Sequence, residues 1–399
     1  MVRSYGRARR RKMSEEKKLT GAENVRWDLT VLYSGIDDPQ IDADIKTVVE
    51  MQKTFCATHR GNLATTLGAA IRDYSEISML GMKVFIYLNL AKSTDINNAA
   101  IQKKTAGIQK AQSAATGEYM AFFENEIADL DDAVIQKLLT EDPVVAKHKP
   151  WLEEIRQNKP HLLSTEVESA LAKRYPFGPG SWSEFYEEVT ADLRCKFRDE
   201  ELTLAETLNI LSTDKNAARR ADALKAANDA MKGGFAKYSA QTLYMVSGAK
   251  SVEDKERKYP HPMAARNKSN GIPDATVEAL PGAVTEIGGP LCRRYYRLKA
   301  TLLGMEKLRW SDRNAPLPIV DTTIVPFDEA MRIVVDAYRS FSPTLAGMIL
   351  EMYHACRIDA PSTKNKASGA FNYSVVLPGE RPISFNLLNY FGSNGDVST

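Results

Sequence analysis

The stretch "GAFNYSVVLPGERPISFNLLNYFGSNGDVST", Gly369 to Thr399, decides how the rest of this chain is read. Phe371, Tyr373, Val375 and Leu377 alternate with smaller or polar residues, the period of a half-buried strand. "PGER" (Pro378–Arg381) supplies a turn and "PISFNLLNY" (Pro382–Tyr390) a second strand, so the pair predicts a β-hairpin with Phe371, Phe385 and Leu387 in the core. Beyond Tyr390 the apolar run gives way to a Ser/Asn/Gly loop. Asp396 followed by Val397 then has the pattern of a first helical turn, where an acid satisfies free N–H groups.

Around this one β region, helical periodicity dominates. From Asp214 to about Lys250 the apolar positions Leu224, Ala227, Met231, Phe235, Tyr238 and Met245 step mostly by three or four, predicting one helix face. Gly233 and Gly234 interrupt that helix at about 1 kcal/mol each. Thr203 and Glu206 have capping-box spacing at the head of "TLAETLNIL". "DEAMRIVVDAY" after Pro326 and "TLAGMILEMYHAC" after Pro343 read as helices with Pro near each start. Residues 29–145 are similarly helical, punctuated by the turns Asp37–Pro39 and Glu141–Pro143. Pro281-Gly282 and Gly288-Gly289-Pro290 predict a kink or break between Asp274 and Gly304. The fold class is therefore mainly α, with one small β-hairpin near the C-terminus.

With 399 residues and 43% hydrophobic content, the chain can bury a large core spread over two or more lobes. Its net charge of +2 comes from the first dozen residues, "MVRSYGRARRRK", which hold six of the 53 basic residues and no acid. The remainder carries 47 basic against 51 acidic residues, which argues against a broad phosphate-binding surface and predicts no nucleic-acid partner. No apolar core follows the basic residues, so they are not a secretory signal. They fit a solvated, unpacked tail, or an upstream start with Met13 as the true beginning, better than a nucleic-acid arm. The longest apolar stretch, near "VFIYLNLA", is too short to span a bilayer. Cys56, Cys195, Cys292 and Cys356 lie far apart without a CxxC, as reduced cytoplasmic thiols do.

Six stretches in order carry a family resemblance: "RWDLTVLYSGIDDPQIDADI", "YMAFFENEIADL", "LTLAETLNILS", "YPHPMAARNKSNGIPDATVEAL", "RRYYRLKATLLGMEKLRWSDRNAPLP" and "KASGAFNYS". Together they resemble oligoendopeptidase F, of the thimet-type zinc metallopeptidases, over nearly everything after Val25. The resemblance implies a two-lobed, zincin-like helical architecture: a basic disordered leader at 1–24, an N-terminal helical lobe at 25–195, and the first part of the peptidase domain at 196–399. It implies a cytoplasmic enzyme that hydrolyses short peptides with zinc, the channel walls keeping folded proteins out. In that family the strand and loop matching the last residues lead into the helix bearing HExxH, whose two His bind Zn²⁺ while the Glu acts as base. The catalytic residues and the metal ligands are therefore expected beyond Thr399, with no zinc bound to these residues alone. An edge strand of zincins pairs with the substrate backbone, so Gly369, Asn389 and Tyr390 are candidate substrate contacts at the hairpin's rim.

His59, His148, His161, His261 and His354 never fall at i and i+4, and none precedes a Glu. Cys56 and His59 form at most a half-site on one helix turn, without a second pair to complete it. His354 reads as packed against a neighbouring helix. In "RRYYRLKA", Tyr295 and Tyr296 read as packed between helices while Arg297 and Lys299 reach solvent. "WSDRNAPLP" reads as a rigid crossover between lobes, and nothing in the sequence favours the alternative that Asp312 orients a channel residue. Three functional readings stand open: part of a zinc oligoendopeptidase, one half of a split peptidase whose C-terminal partner supplies HExxH, or a non-catalytic peptide-binding helical protein. The expected apolar patch around Phe385, Leu387, Leu388 and Phe391 would face that missing partner.

Overall fold

The computed structural model describes residues 19–318, 324–379 and 381–398. The first bundle is built from α1 (Pro39–His59), α2 (Leu63–Thr94), α3 (Ala99–Tyr119), α4 (Phe123–Asp129), α5 (Asp132–Glu141), α6 (Pro143–Lys147) and α7 (Lys149–Gln157). Both predicted turns start helices: Asp38 caps α1 and Asp142 caps α6, each followed by Pro. Phe55, Leu67, Ile71, Phe123, Ile127 and Leu152 close the core between these helices. Helices α8 (Thr165–Arg174) and α9 (Pro179–Ala191) follow.

Strands β1 (Arg194–Phe197) and β2 (Glu200–Thr203) form an antiparallel hairpin that the sequence reading does not include. Its four-residue strands are largely polar, and only Cys195 and Phe197 are buried, against the alanines of α11 (Ala217–Ala230). The lobe boundary expected after residue 195 thus falls inside this hairpin. α10 (Leu204–Thr213) starts on the predicted capping box, with both the Thr203 and Glu206 bonds formed.

The long helix expected from Asp214 is two helices, because Gly233 takes φ +66°, a conformation that glycine adopts without a Cβ penalty. α11 ends before it and α12 (Gly234–Glu256) begins after it. After α13 (Ala264–Ser269) comes a single rod: α14 (Asp274–Ala283), a π-helical turn at Val284–Gly288, and α15 (Gly289–Leu302). Pro290 lacks the N–H of a regular turn, and the wider turn before it keeps the backbone helical. α16 (Phe327–Phe341) and α17 (Pro343–His354) form as expected.

The predicted hairpin is present as β4 (Phe371–Val375) and β5 (Ile383–Tyr390), but it is part of a three-stranded sheet. β3 (Ile358–Pro361) lies parallel to β5 on its other side, so β5 is central and β4 is an edge. α18 (Asn394–Ser398) begins where the helix start was read. The sheet packs on the first bundle: Phe385, Val375 and Leu377 meet Leu32, Tyr33, Ile41, Val84 and Leu88. The expected exposed patch is therefore absent. Phe385 and Leu387 are fully buried and Leu388 and Phe391 half-buried: Phe385 packs with residues of α1, α2 and the segment before them, and Leu388 packs in the cluster of Ala22, Phe327 and Tyr390.

The expected unpacked tail at 1–12 lies outside the described residues, but the leader assigned to 1–24 ends earlier. Ala22 is buried against Phe327 and Tyr390, and the Thr20 carbonyl accepts from Phe327 N–H at 2.8 Å. No helix among the described residues is long and apolar enough to cross a membrane.

Candidate functional site

β4 pairs with β5 through five residue pairs, from Phe371 opposite Leu387 to Val375 opposite Ile383, and its other edge carries no strand among the described residues. Such an edge offers backbone N–H and C=O groups to an extended peptide. Asn372, Tyr373 and Ser374 at its centre are exposed. The polar positions of the two strands meet in cross-strand pairs: Asn372 Nδ2 donates to Asn386 Oδ1 at 2.5 Å, and the Ser374 and Ser384 hydroxyls are 2.9 Å apart. The sequence reading passed over these four residues, although the alternation that predicts the hairpin also predicts which side chains face away from the core.

Of the three predicted contacts, two come together. Asn389 Nδ2 donates to the Ala367 carbonyl at 2.9 Å and to the Gly369 carbonyl at 3.2 Å, so its side chain shapes the turn entering β4. Gly369 is exposed at φ +84°. Tyr390 is turned into the core instead: its ring lies edge-on to Phe327 and its hydroxyl donates to the Val325 carbonyl at 2.8 Å. Burial first, then nearby Asp396, pushes that hydroxyl up to about 12, so it stays protonated at neutral pH.

The loop before β4 is held by Lys366, whose buried amine donates to the Asp359 carboxylate at 2.5 Å and to the carbonyls of Asp359, Pro361 and Leu388. Burial pushes this amine below the usual lysine range, against the pull of Asp359. Backbone bonds from Ala367 N–H to Ser93 O and from Ile96 N–H to Asn365 O tie the same loop to the end of α2. At the far end of β5, Gly392 at φ +81° passes so close to the next segment that a Cβ there would lie 2.6 Å from Ile324 Cγ2. Ser393 and Asp396 then cap α18 reciprocally, Asp396 accepting from the N–H groups of Phe391 and Ser393. The acid read as a helix-start signal has that role.

A cleft of about 490 Å³ opens beside the turn end of the hairpin, lined by Asp28, Thr30, Glu351, Arg357, Arg381 and Ile383. Glu351 bridges Arg357 and Arg381, and hydrogen bonds from these two hold its carboxyl below the usual range.

Among the described residues no group of three or more His, Cys, Asp or Glu is placed to hold a metal ion. Donors fit for zinc are thus not assembled among the described residues. His59 is buried and contacts Asp73 through Nε2 at 2.8 Å, while its Nδ1 has no partner among the described residues. His148 bonds the Val144 carbonyl, His161 the Arg257 carbonyl, and His261 the Asp274 carboxylate. His354 is exposed, not packed against a neighbouring helix as expected. Two further expectations are reversed in "RRYYRLKA": Tyr295 and Tyr296 are exposed, whereas Lys299 is buried and donates to the Arg313 carbonyl at 2.8 Å. Asp312 is fully buried, binding Arg220 at 2.7 Å and Arg309 at 3.0 Å. Burial alone would raise its carboxyl, but the Arg220 and Arg309 hydrogen bonds outweigh it and hold the value low.

A family model described as Oligopeptidase F matches residues 126–194. The chain is 25% identical over 362 residues to Group B oligopeptidase PepB of Streptococcus agalactiae, covering 88% of this chain and 58% of that one. It is 24% identical to an oligoendopeptidase F homolog of Lactococcus lactis, covering 94% and 62%. The crystal structure of oligoendopeptidase-F from Enterococcus faecium superposes with a TM-score of 0.64 at 22% identity, over 79% of this chain and 65% of that one. The chain thus spans about three-fifths of the length of these curated relatives. The resemblance to oligoendopeptidase F extends through sequence and fold alike, and the architecture is the mainly helical one with a small sheet.

Proposed function

We propose that these 399 residues are the N-terminal, substrate-binding portion of a cytoplasmic zinc-dependent oligoendopeptidase acting on short unstructured peptides. The HExxH zinc site would then be contributed by polypeptide outside them. The observation that carries this reading is the course of the last strand: β5, central in the sheet, leads through the Gly392 turn into a capped helix start, beside an open edge strand. In zincins that order sets a peptide beside the metal helix. Gly369 and Asn389 are proposed at the rim of the peptide groove. Tyr390, whose hydroxyl and ring are committed to the core, is proposed only as a support for that rim.

The test is to express the chain alone and together with the two-fifths of the Lactococcus lactis relative that this chain does not cover. Metal content and cleavage of quenched-fluorescent peptides are then measured on both samples. The expected result is zinc and turnover together in the combined sample, and neither in the chain alone. One bound zinc with chelator-sensitive turnover in the lone chain would overturn it. A second reading, peptide binding without catalysis, is favoured by the open β4 edge combined with the lack of an assembled metal group among the described residues. Peptide affinity that Asn389→Ala weakens, with no turnover in either sample, would select it.

A further inference from the structure

The cleft at the turn end of the hairpin lies where β3 stops short. β5 runs from Ile383 to Tyr390, but β3 pairs with it only from Asn386 onward. Cys356, at φ +49°, joins α17 to β3, and Arg357 N–H bonds back to the Met352 carbonyl. On the other side of β3 runs the segment before α1, tied to it by Ala360 N–H to Val25 O and by Asp28 N–H to Cys356 O. From Ile358 on, β3 fills the space between this segment and β5. Ahead of Ile358 that space is open, and Asp28, Thr30, Glu351, Arg357, Arg381 and Ile383 line it.

The pairing pattern tells which backbone groups face this gap. Asn386 N–H donates to the Arg357 carbonyl at 2.9 Å, so the backbone of Asn386 points at β3. Strand residues alternate, so Ser384 points its N–H and C=O the same way, one step past the end of β3. The side chains agree: Asn372 meets Asn386 and Ser374 meets Ser384, the close approach of ladder pairs that exchange no backbone bonds. Neither backbone group of Ser384 has a partner among the described residues. The Arg357 side chain, only 12% exposed, makes one bond, from Nη2 to Glu351 at 2.8 Å, so its Nε and Nη1 are unpartnered among the described residues. Arg381 holds the other Glu351 oxygen. Glu351, 41% open to solvent, thus stands where a ligand carboxylate would bridge two guanidiniums.

We propose that this gap binds a free di- or tripeptide, at a site separate from the rim at Gly369 and Asn389. The peptide lies beside β5 as a short added strand and bonds the N–H and C=O of Ser384. Its carboxylate is taken by Arg357 and Arg381 as Glu351 swings out, and its ammonium by Asp28. Two guanidiniums and two carboxylates leave the gap near neutral, which suits a zwitterion better than a bare anion. The cleft volume of about 490 Å³ accommodates a ligand of this size. Ser384 is five residues from Asn389, about 17 Å along the strand, so one dipeptide does not reach both places. The proposal goes beyond the peptidase reading and does not depend on peptide hydrolysis.

The test is calorimetric titration of the full chain with Ala-Ala, Ala-Ala amide, acetyl-Ala-Ala and acetate. Ala-Ala should bind, and the amide should bind about tenfold more weakly, because it lacks the charge-assisted bonds to the two guanidiniums. Acetyl-Ala-Ala should lose about threefold, a difference that Asp28→Asn erases. Arg357→Gln should abolish binding. Arg381→Ala, an exposed change with the fold checked by circular dichroism, should weaken it about threefold. Glu351→Gln should strengthen it, because the internal competitor loses its charge. Asn389→Ala, at the rim, should leave Ala-Ala binding unchanged, which separates this site from the β4 edge. Each of these results would overturn the proposal: no binding of Ala-Ala at millimolar concentration, equal affinity for Ala-Ala and its amide, acetate binding as tightly as Ala-Ala, an acetylation penalty that persists in Asp28→Asn, or a loss caused by Asn389→Ala but not by Arg381→Ala.

Discussion

The sheet corner and the α14–α15 rod are both rooted on a buried lysine, yet they are opposites above it. At the corner, Lys366 meets a carboxylate and three carbonyls, and the sheet it joins is covered, by α1 and α2 over Val375 and Phe385 and by Ala22 and Phe327 over β3. At the rod's base, Lys299 meets a single carbonyl beside the Arg220–Asp312 pair, and nearly everything above it is bare. The difference teaches where the fold is finished. The corner satisfies its own polar groups and apolar surface, so it can present a precise edge. The rod is packed only at its foot, and little covers the rest of it.

The sharpest way to break the comparison is to remove the two lysines. Lys366→Met leaves Asp359 buried without its cation, and the loss of stability should be about 3–5 kcal/mol in chemical denaturation. Lys299→Met removes one hydrogen bond and a charge that burial already disfavours, so it should cost only about 1 kcal/mol. Equal losses would mean that the two anchors are equivalent and the contrast is false.

Truncation of apolar side chains sharpens it next. Phe385→Ala empties a fully buried site between the sheet and the first bundle and should cost about 3–5 kcal/mol. Ile287→Ala, exposed on the rod, should change stability by about 0.5 kcal/mol or less in the chain alone. A large loss at Ile287 would show that the rod is already covered in solution.

The same contrast explains what was legible in the sequence. The hairpin and the Thr203–Glu206 cap are local patterns, complete within a few residues, and both formed as read. β3 was not legible: "IDAP" has no alternation and contains a proline, and it is a strand because β5 pairs with it and the Val25 carbonyl accepts from Ala360 N–H. The hairpin β1–β2 was missed for the related reason that its burial comes from α11. At the candidate site Asn389 bonds the carbonyls of Ala367 and Gly369 while Tyr390 is turned into the core, a difference the sequence does not carry because adjacent strand residues point to opposite sides and only tertiary packing says which side is open. Tyr295 and Lys299 were assigned the wrong way round because that reading assumed a covered helix. The Arg220–Asp312 pair, 92 residues apart, has no local signature at all.

That pair supplies a smaller, pH-dependent effect at the rod's foot. Asp312 has its value held low in the folded state, so its contribution is complete above the ordinary carboxylate range, near about pH 4, and is lost as pH falls through the depressed folded value. Stability measured from neutral pH downward should therefore fall more steeply in the parent than in Asp312→Asn, whose curve lacks this group's share. Parallel curves would show that the carboxylate titrates alike in both states and does not anchor the rod electrostatically.

The smallest expected effect tests the rod itself. Gly282 sits in α14 with nothing within 4 Å of where a Cβ would lie, so Gly282→Ala adds a methyl group without a clash. In a helix interior that exchange stabilises by about 0.5–1 kcal/mol, chiefly by lowering the entropy of the unfolded segment. Because little packs on the rod, the gain should stay local: slower amide exchange along 274–298, with the global denaturation midpoint almost unchanged. The corresponding change at the corner, Gly392→Ala, meets a positive φ and the Ile324 side chain together and should instead lower the midpoint. A global gain from Gly282→Ala would mean that the rod unfolds with the core, and the distinction between a finished corner and an unfinished rod would have to be given up.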